Sequence, residues 1–296
     1  MANADAEHKM KSVQNGTIDG QAKKQTQVNN VIFNLDMWTY AILCMIFPAS
    51  SLVICFFTGF FFRFEEVNET MCGVKNYIPS ISAVTGITPQ TYLWRTSIGL
   101  QAAPRLSVCF FYYNQYKNKM HQVASNRLGW FQKLIRLNFW LNFIENSCLI
   151  LVAFITNREN YPVHEKIFVV FMVTSLCYML LNTVLFKWSR EGYSTDIDKT
   201  SYWWKKAMFV VSIVATAGLI FFFIQHRVYC THGAFSWFSV CEYFIAYGNM
   251  AYHFTGYLDF KGLSVVCGNF SNDESAARNG ATEHVNNNIR QKVKPH

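Results

Sequence analysis

The sequence predicts an all-α, polytopic membrane protein, a bundle of six transmembrane helices with both termini in the cytosol. Three observations lead there. Of the 296 residues, 51% are hydrophobic and 15% charged, a balance too apolar for an ordinary soluble domain. The apolar residues come in membrane-length runs: residues 38–62, 167–186 and 207–225 contain no Asp, Glu, Lys or Arg, and each approaches the roughly 20 residues that cross a ~30 Å hydrocarbon core. The basic residues collect in alternate connections, as the positive-inside rule expects of cytosolic loops. Lys117, Lys119, Arg127, Lys133 and Arg136 lie between the second and third spans, and Lys187, Arg190, Lys199, Lys205 and Lys206 between the fourth and fifth. This placement accounts for the net charge of +8. No nucleic-acid-binding motif accompanies it, so no nucleic-acid partner is expected.

Residues 1–35 are polar, lack the apolar core of a cleaved signal peptide and read as a disordered cytosolic tail. Residues 36–262 hold the spans. The first, 38–62, is flanked by aromatic residues and contains Pro48, which can kink it. The connection 63–91 is expected on the lumenal face; it carries the sequon Asn68-Glu69-Thr70, a candidate glycosylation site. Pro79, Gly86 and Pro89 make its second half irregular, so the next helix begins near Tyr92. That helix carries Arg95 and Arg105. Ten residues at about 1.5 Å each put Arg105 roughly 15 Å deeper than Arg95, where an arginine costs about 2.5–3.5 kcal/mol and needs an internal partner.

The third span supplies one. Asn138, Asn142, Glu145 and Asn146 recur at spacings of four, three and four, which places them on one helical face. In lipid such a face points inward. Glu145 and Arg105 lie at matching depth, which predicts an intramembrane pair; a protonated Glu145 bonded to a neighbouring helix is the alternative. The fourth span offers Asn182 as a polar handle. The fifth, from Lys206 to Gln225, has Ala215, Ala217 and Gly218 for close packing. On the sixth, Glu242, Asn249 and His253 share a face at i, i+7 and i+11. Glu242 falls near the level of Arg95 and makes a second candidate pair, and Asp259 stands at the membrane exit. Residues 263–296 read as another disordered cytosolic tail. Of nine cysteines, Cys72 and Cys230 fall in lumenal connections where oxidation favours pairing, with Cys241 as competing partner and free thiols as the other outcome.

The chemistry is sparse. His164, His226 and His232 share the expected lumenal side, but no His/Cys spacing resembles a zinc site and no cofactor motif is present, so neither metal nor cofactor is expected. His253 with Asn249 one turn before it is a candidate base for acyl transfer, although no nucleophile is recognisable. Arg95, with Trp94 beside it, suits an anionic headgroup above apolar chains, or a plain interface anchor.

Four stretches, CGVKNYIPSIS, TPQTYLWR, IGLQAAPR and CEYFIAYGNMAYHFTGYLDF, resemble in order and spacing the post-GPI-attachment-to-proteins factor 2 group of the Frag/DRAM/Sfk family of six-span proteins. The resemblance covers residues 35–262. It implies a Golgi or endoplasmic reticulum membrane protein that acts with membrane lipids and GPI-anchored proteins. The step it implies is lipid remodelling, where a lyso anchor regains a fatty acid, by catalysis or by assisting a partner acyltransferase. A membrane scaffold or lipid-asymmetry regulator of the Sfk and DRAM type is the alternative. Pro79, Ser80, Gln90, Trp94, Arg95, Arg105, Glu242, Asn249, His253 and Asp259 stand where the family motif has its characteristic residues.

Overall fold

The apolar runs become helices, and their boundaries follow the capping residues between them. In a computed structural model, which describes residues 27–192 and 194–271, α1 (Met37–Phe62) starts where Asp36 accepts a hydrogen bond from the Thr39 amide at 3.0 Å. Two short helices follow, α2 (Phe64–Asn68) and α3 (Ile81–Thr85), the second capped by the Ser80 hydroxyl. Then come five long ones: α4 (Gln90–Asn118), α5 (Leu128–Phe154), α6 (Tyr161–Trp188), α7 (Asp196–Tyr229) and α8 (Ala234–Phe254). The short α9 (Gly256–Asp259) precedes the end of this helical unit, which spans Asp36–Leu263.

Length and composition suit α1, α5, α6 and α7 to crossing a membrane. At 29 and 21 residues α4 and α8 are also long, but Arg95, Arg105 and Lys117 on one, and Glu242, Asn249 and His253 on the other, deprive them of that composition. The unit is apolar outside and buries many polar and charged groups beside its apolar core. Phe61, Val214, Phe221 and Trp237 are exposed, whereas Arg105, Asn142, Glu145, Asn182, Lys205 and Asn249 are buried. In a soluble domain large apolar side chains are less exposed and charged ones seldom fully buried.

Close packing holds α7 against α8. A Cβ added at Gly218 would stand 2.9 Å from Cys241 Sγ, so a larger residue there forces the helices apart. Cys241 is accordingly a packing residue with a free thiol, and the disulfide joins Cys72 to Cys230 with their Cα atoms 5.6 Å apart. That bond ties the connection after α2 to the end of α7.

Two expectations are corrected, and the sequon asparagine is placed. α7 begins ten residues before Lys206, because Thr195 and Asp198 form a reciprocal capping box that starts the helix inside the basic stretch; Lys205 thereby leaves the loop and enters the helix. Asn68 is buried, its Nδ2 donating to the Phe64 carbonyl at 3.0 Å and its Oδ1 accepting from Asn76 at 3.0 Å. Both bonds hold the side chain inside the fold. The architecture is also not wholly helical, since β1 (Gln27–Asp36) pairs with β2 (Ser264–Ser271) in a two-stranded sheet. Both strands lie in stretches expected to be disordered; Val28, Val31, Ile32 and Phe33 on one and Val265 and Val266 on the other are residues that favour extended backbone. The remainder of the expected tails, residues 1–26 and 272–296, lies outside the described residues.

Candidate functional site

The polar face of α5 turns inward and meets α4, α6 and α8. Asn138, Asn142, Glu145 and Asn146 are all buried, Glu145 with no exposure at all. Glu145 Oε1 accepts from Asn249 Nδ2 at 2.5 Å and lies 3.0 Å from His253 Nε2, while the Arg105 guanidinium stands 3.6 Å away. Depth matching thus located the neighbours of Arg105 but missed the residue between them. Asn249 bridges the pair: its Oδ1 accepts from Arg105 Nη2 at 2.5 Å, and its Nδ2 also donates to Ser175 on α6 at 2.8 Å. Beside them Asn146 donates to Asn142 Oδ1 at 2.7 Å. A buried arginine is tolerable in this setting because a carboxylate and an amide oxygen compensate it. Arg105 Nε and Glu145 Oε2 still lack a partner among the described residues, so the cluster has hydrogen-bonding capacity left.

The His253 ring is fixed twice, by Glu145 and by stacking on Tyr178 with centroids 5.3 Å apart and planes 16° from parallel. With Nε2–H directed at a carboxylate, Nδ1 of the neutral ring keeps the lone pair. His253 and Arg105 border a cavity of about 30 Å³ between α1, α4 and α8. On its other side Arg105 borders a second cavity of about 70 Å³, reached also by Gln101, Asn249, His164 and Glu242 and walled by Trp94, Phe168 and Ile245. The cavity therefore has polar groups at both ends and apolar walls between them.

The second candidate pair is corrected. Arg95 binds Glu159 at 2.6 Å and the Phe154 carbonyl at 2.7 Å, clamping α4 to the end of α5. This interaction, with the Thr156 amide, holds the Glu159 carboxyl down to about 2. Glu242 instead accepts from the Ile81 amide at 2.8 Å and so fastens α3 to α8. The loop motif is structural at close range: Pro79 and Ser80 are buried, Gln90 donates to Thr58 at 3.2 Å, and Trp94 packs in the core with Leu52 and Met250.

A separate buried cluster surrounds Asp259. Lys205 Nζ lies 2.7 Å from its carboxylate, Tyr112 and Ser201 each donate to it at 2.5 Å, and neither charged side chain is exposed. Thr255 is a further partner of Lys205, and the ammonium sits 5.2 Å from the ring centroids of Phe186 and Tyr252. Sequence reasoning placed Asp259 at a membrane exit and counted Lys205 as a loop charge. The missed signal is Ser201, Lys205 and Ser212 at spacings of four and seven, which is one helical face.

These motifs have relatives. Residues 37–263 match the model of the Frag1/DRAM/Sfk1/Cwh43P N-terminal domain. The Drosophila melanogaster protein named "Post-GPI attachment to proteins factor 2-like" is 46% identical over 222 residues, 74% of this chain and 68% of that one. The Xenopus tropicalis "Acyltransferase PGAP2" is 35% identical over 232 residues, 78% and 90% of the two chains. The Caenorhabditis elegans "Post-GPI attachment to proteins factor 2" is 33% identical over 233 residues, 77% and 87% of the two. No solved structure matches. The match covers the whole helical unit with its buried Arg105, Glu145, Asn249 and His253, and the chain belongs to the Frag1/DRAM/Sfk1/Cwh43P N-terminal domain family.

Proposed function

We propose that this chain takes part in the lipid remodelling of glycosylphosphatidylinositol anchors, at the step where a lyso anchor regains a fatty acid. The observation that carries the reading is the apolar-walled cavity ending on Arg105 and Asn249, with the His253–Glu145 couple behind it. The names of the relatives point the same way. α1 and α4 to α8 make six spans with both termini in the cytosol of a Golgi or endoplasmic reticulum membrane. In that arrangement α4 and α8 contribute the polar interior, which is why their composition is the least apolar. The lipid of a GPI-anchored protein enters the cavity from the lumenal leaflet. The buried residues either deliver acyl transfer or present the lipid to a partner acyltransferase.

The test is complementation. Cells lacking their own family member are given this chain, and the surface level and anchor fatty acids of GPI-anchored proteins are measured. Recovery of both supports the reading. Values that stay deficient although the protein reaches the Golgi favour the scaffold or lipid-asymmetry role. His253→Ala then separates catalysis from presentation, because retained remodelling excludes His253 as the base.

A further inference from the structure

His164 stands in the first turns of α6, where Nδ1 lies 2.7 Å from the Ile155 carbonyl oxygen. A carbonyl can only accept, so Nδ1 carries the hydrogen and the neutral ring presents a lone pair at Nε2. His164 borders the internal cavity that reaches Arg105, and together with Ser82, Phe168 and Glu242 it also borders a cavity of about 170 Å³ between α6, α7 and α8. The exposed Val169 and Ile220 stand at the mouth of the outer cavity. The two cavities share Ser82, His164, Phe168 and Glu242 as lining, so His164 stands between the outer cavity and the interior one.

Depth assigns the occupant. His164 is three residues inside Tyr161, roughly 5 Å below the start of α6, and Glu242 is about 12 Å below the start of α8, whereas His253 lies about 28 Å along α8. A lipid whose headgroup remains in water at the end bearing Tyr161 and Ala234 holds its glycerol just beneath the interface. Its glycerol oxygens come level with His164, so this is a binding position near the interface and not the place of acyl transfer by His253.

Building on the remodelling reading, we propose that a one-chain glycerophospholipid enters between α6 and α7 and donates the hydrogen bond of its free glycerol hydroxyl to His164 Nε2. The apolar tail follows Phe168 inward. A two-chain lipid, having its hydroxyl esterified, cannot make this bond. The site thereby distinguishes the lipid that needs an acyl chain from the one that already has it.

The test uses the full chain in nanodiscs, with 1-acyl lysophosphatidylinositol and its 2-deoxy analogue as probes. The wild type should bind the hydroxyl-bearing lipid about tenfold more tightly, as expected for one buried hydrogen bond. His164→Ala should bring the ratio to about one while leaving the affinity for the deoxy lipid unchanged. A wild-type ratio near one, or a ratio near ten in His164→Ala, overturns the proposal. Ile220→Trp, a change at an exposed position of the mouth, should slow association of both lipids without altering their ratio; unchanged association overturns the entry route. If the wild type binds neither probe and also fails in complementation, the remodelling reading itself falls. Complementation with a ratio of one removes only the role of His164.

Discussion

Glu145→Ala is the perturbation with the largest expected effect. The carboxylate is completely buried and its Oε1 serves Asn249 at 2.5 Å, His253 at 3.0 Å and Arg105 at 3.6 Å. Truncation strands the Arg105 charge in a buried site without its carboxylate partner. Breaking a buried pair in this way costs about 3–5 kcal/mol. At about 2–4 °C per kcal/mol for a unit of this size, Tm should fall by roughly 6–20 °C, with a parallel fall in folded yield. Adding Arg105→Met removes the stranded charge, so the double variant should be more stable than the sum of the two single effects by at least about 1 kcal/mol. Thermal unfolding in nanodiscs, followed by tryptophan fluorescence, measures both. A Glu145→Ala protein melting within about 2 °C of the wild type, or strict additivity in the double variant, would refute the argument that charge compensation holds the interior together.

Other expectations follow from the same geometry. Either Cys72→Ser or Cys230→Ser should abolish the mobility shift that reduction produces on a denaturing gel, whereas Cys241→Ser should keep it; a shift surviving in Cys72→Ser would mean a different pairing. Because the Arg95 interaction lowers the Glu159 carboxyl to about 2 from an ordinary 4.5, its contribution is complete above pH 4.5 and fades as pH falls toward 2. In Arg95→Ala the carboxylate infrared band should titrate at higher pH, and an unmoved midpoint would count against the clamp. Lys205→Met leaves Asp259 buried without its cation and should lower Tm more than Lys205→Met/Asp259→Asn does. Equal melting of the two would show that the pair is not coupled.

The helical content and the polar interior were legible in the sequence. Charge-free runs of about 20 residues mark helices by length alone, and the four, three, four spacing of Asn138, Asn142, Glu145 and Asn146 identifies an inward face wherever the surroundings are lipid. Matching depth sufficed to bring Arg105 and Glu145 together, since rise per residue converts position into height. Height, however, says nothing about azimuth. Arg95 and Glu242 share a level yet face different neighbours, and Glu159, in a connection, took the arginine instead. Lys205 read as one more loop charge because a capping box, not an apolar run, decides where α7 begins. The pairing of residues 27–36 with 264–271 was equally hidden, since a strand's partner more than 200 residues away leaves no local trace. Composition and period along one chain therefore determined which faces turn inward and how deep each group lies. Only tertiary packing decided which groups touch, because contact depends on how helices rotate about their axes and on what stands between them: Asn249 between Arg105 and Glu145, and His164 at the junction of two cavities.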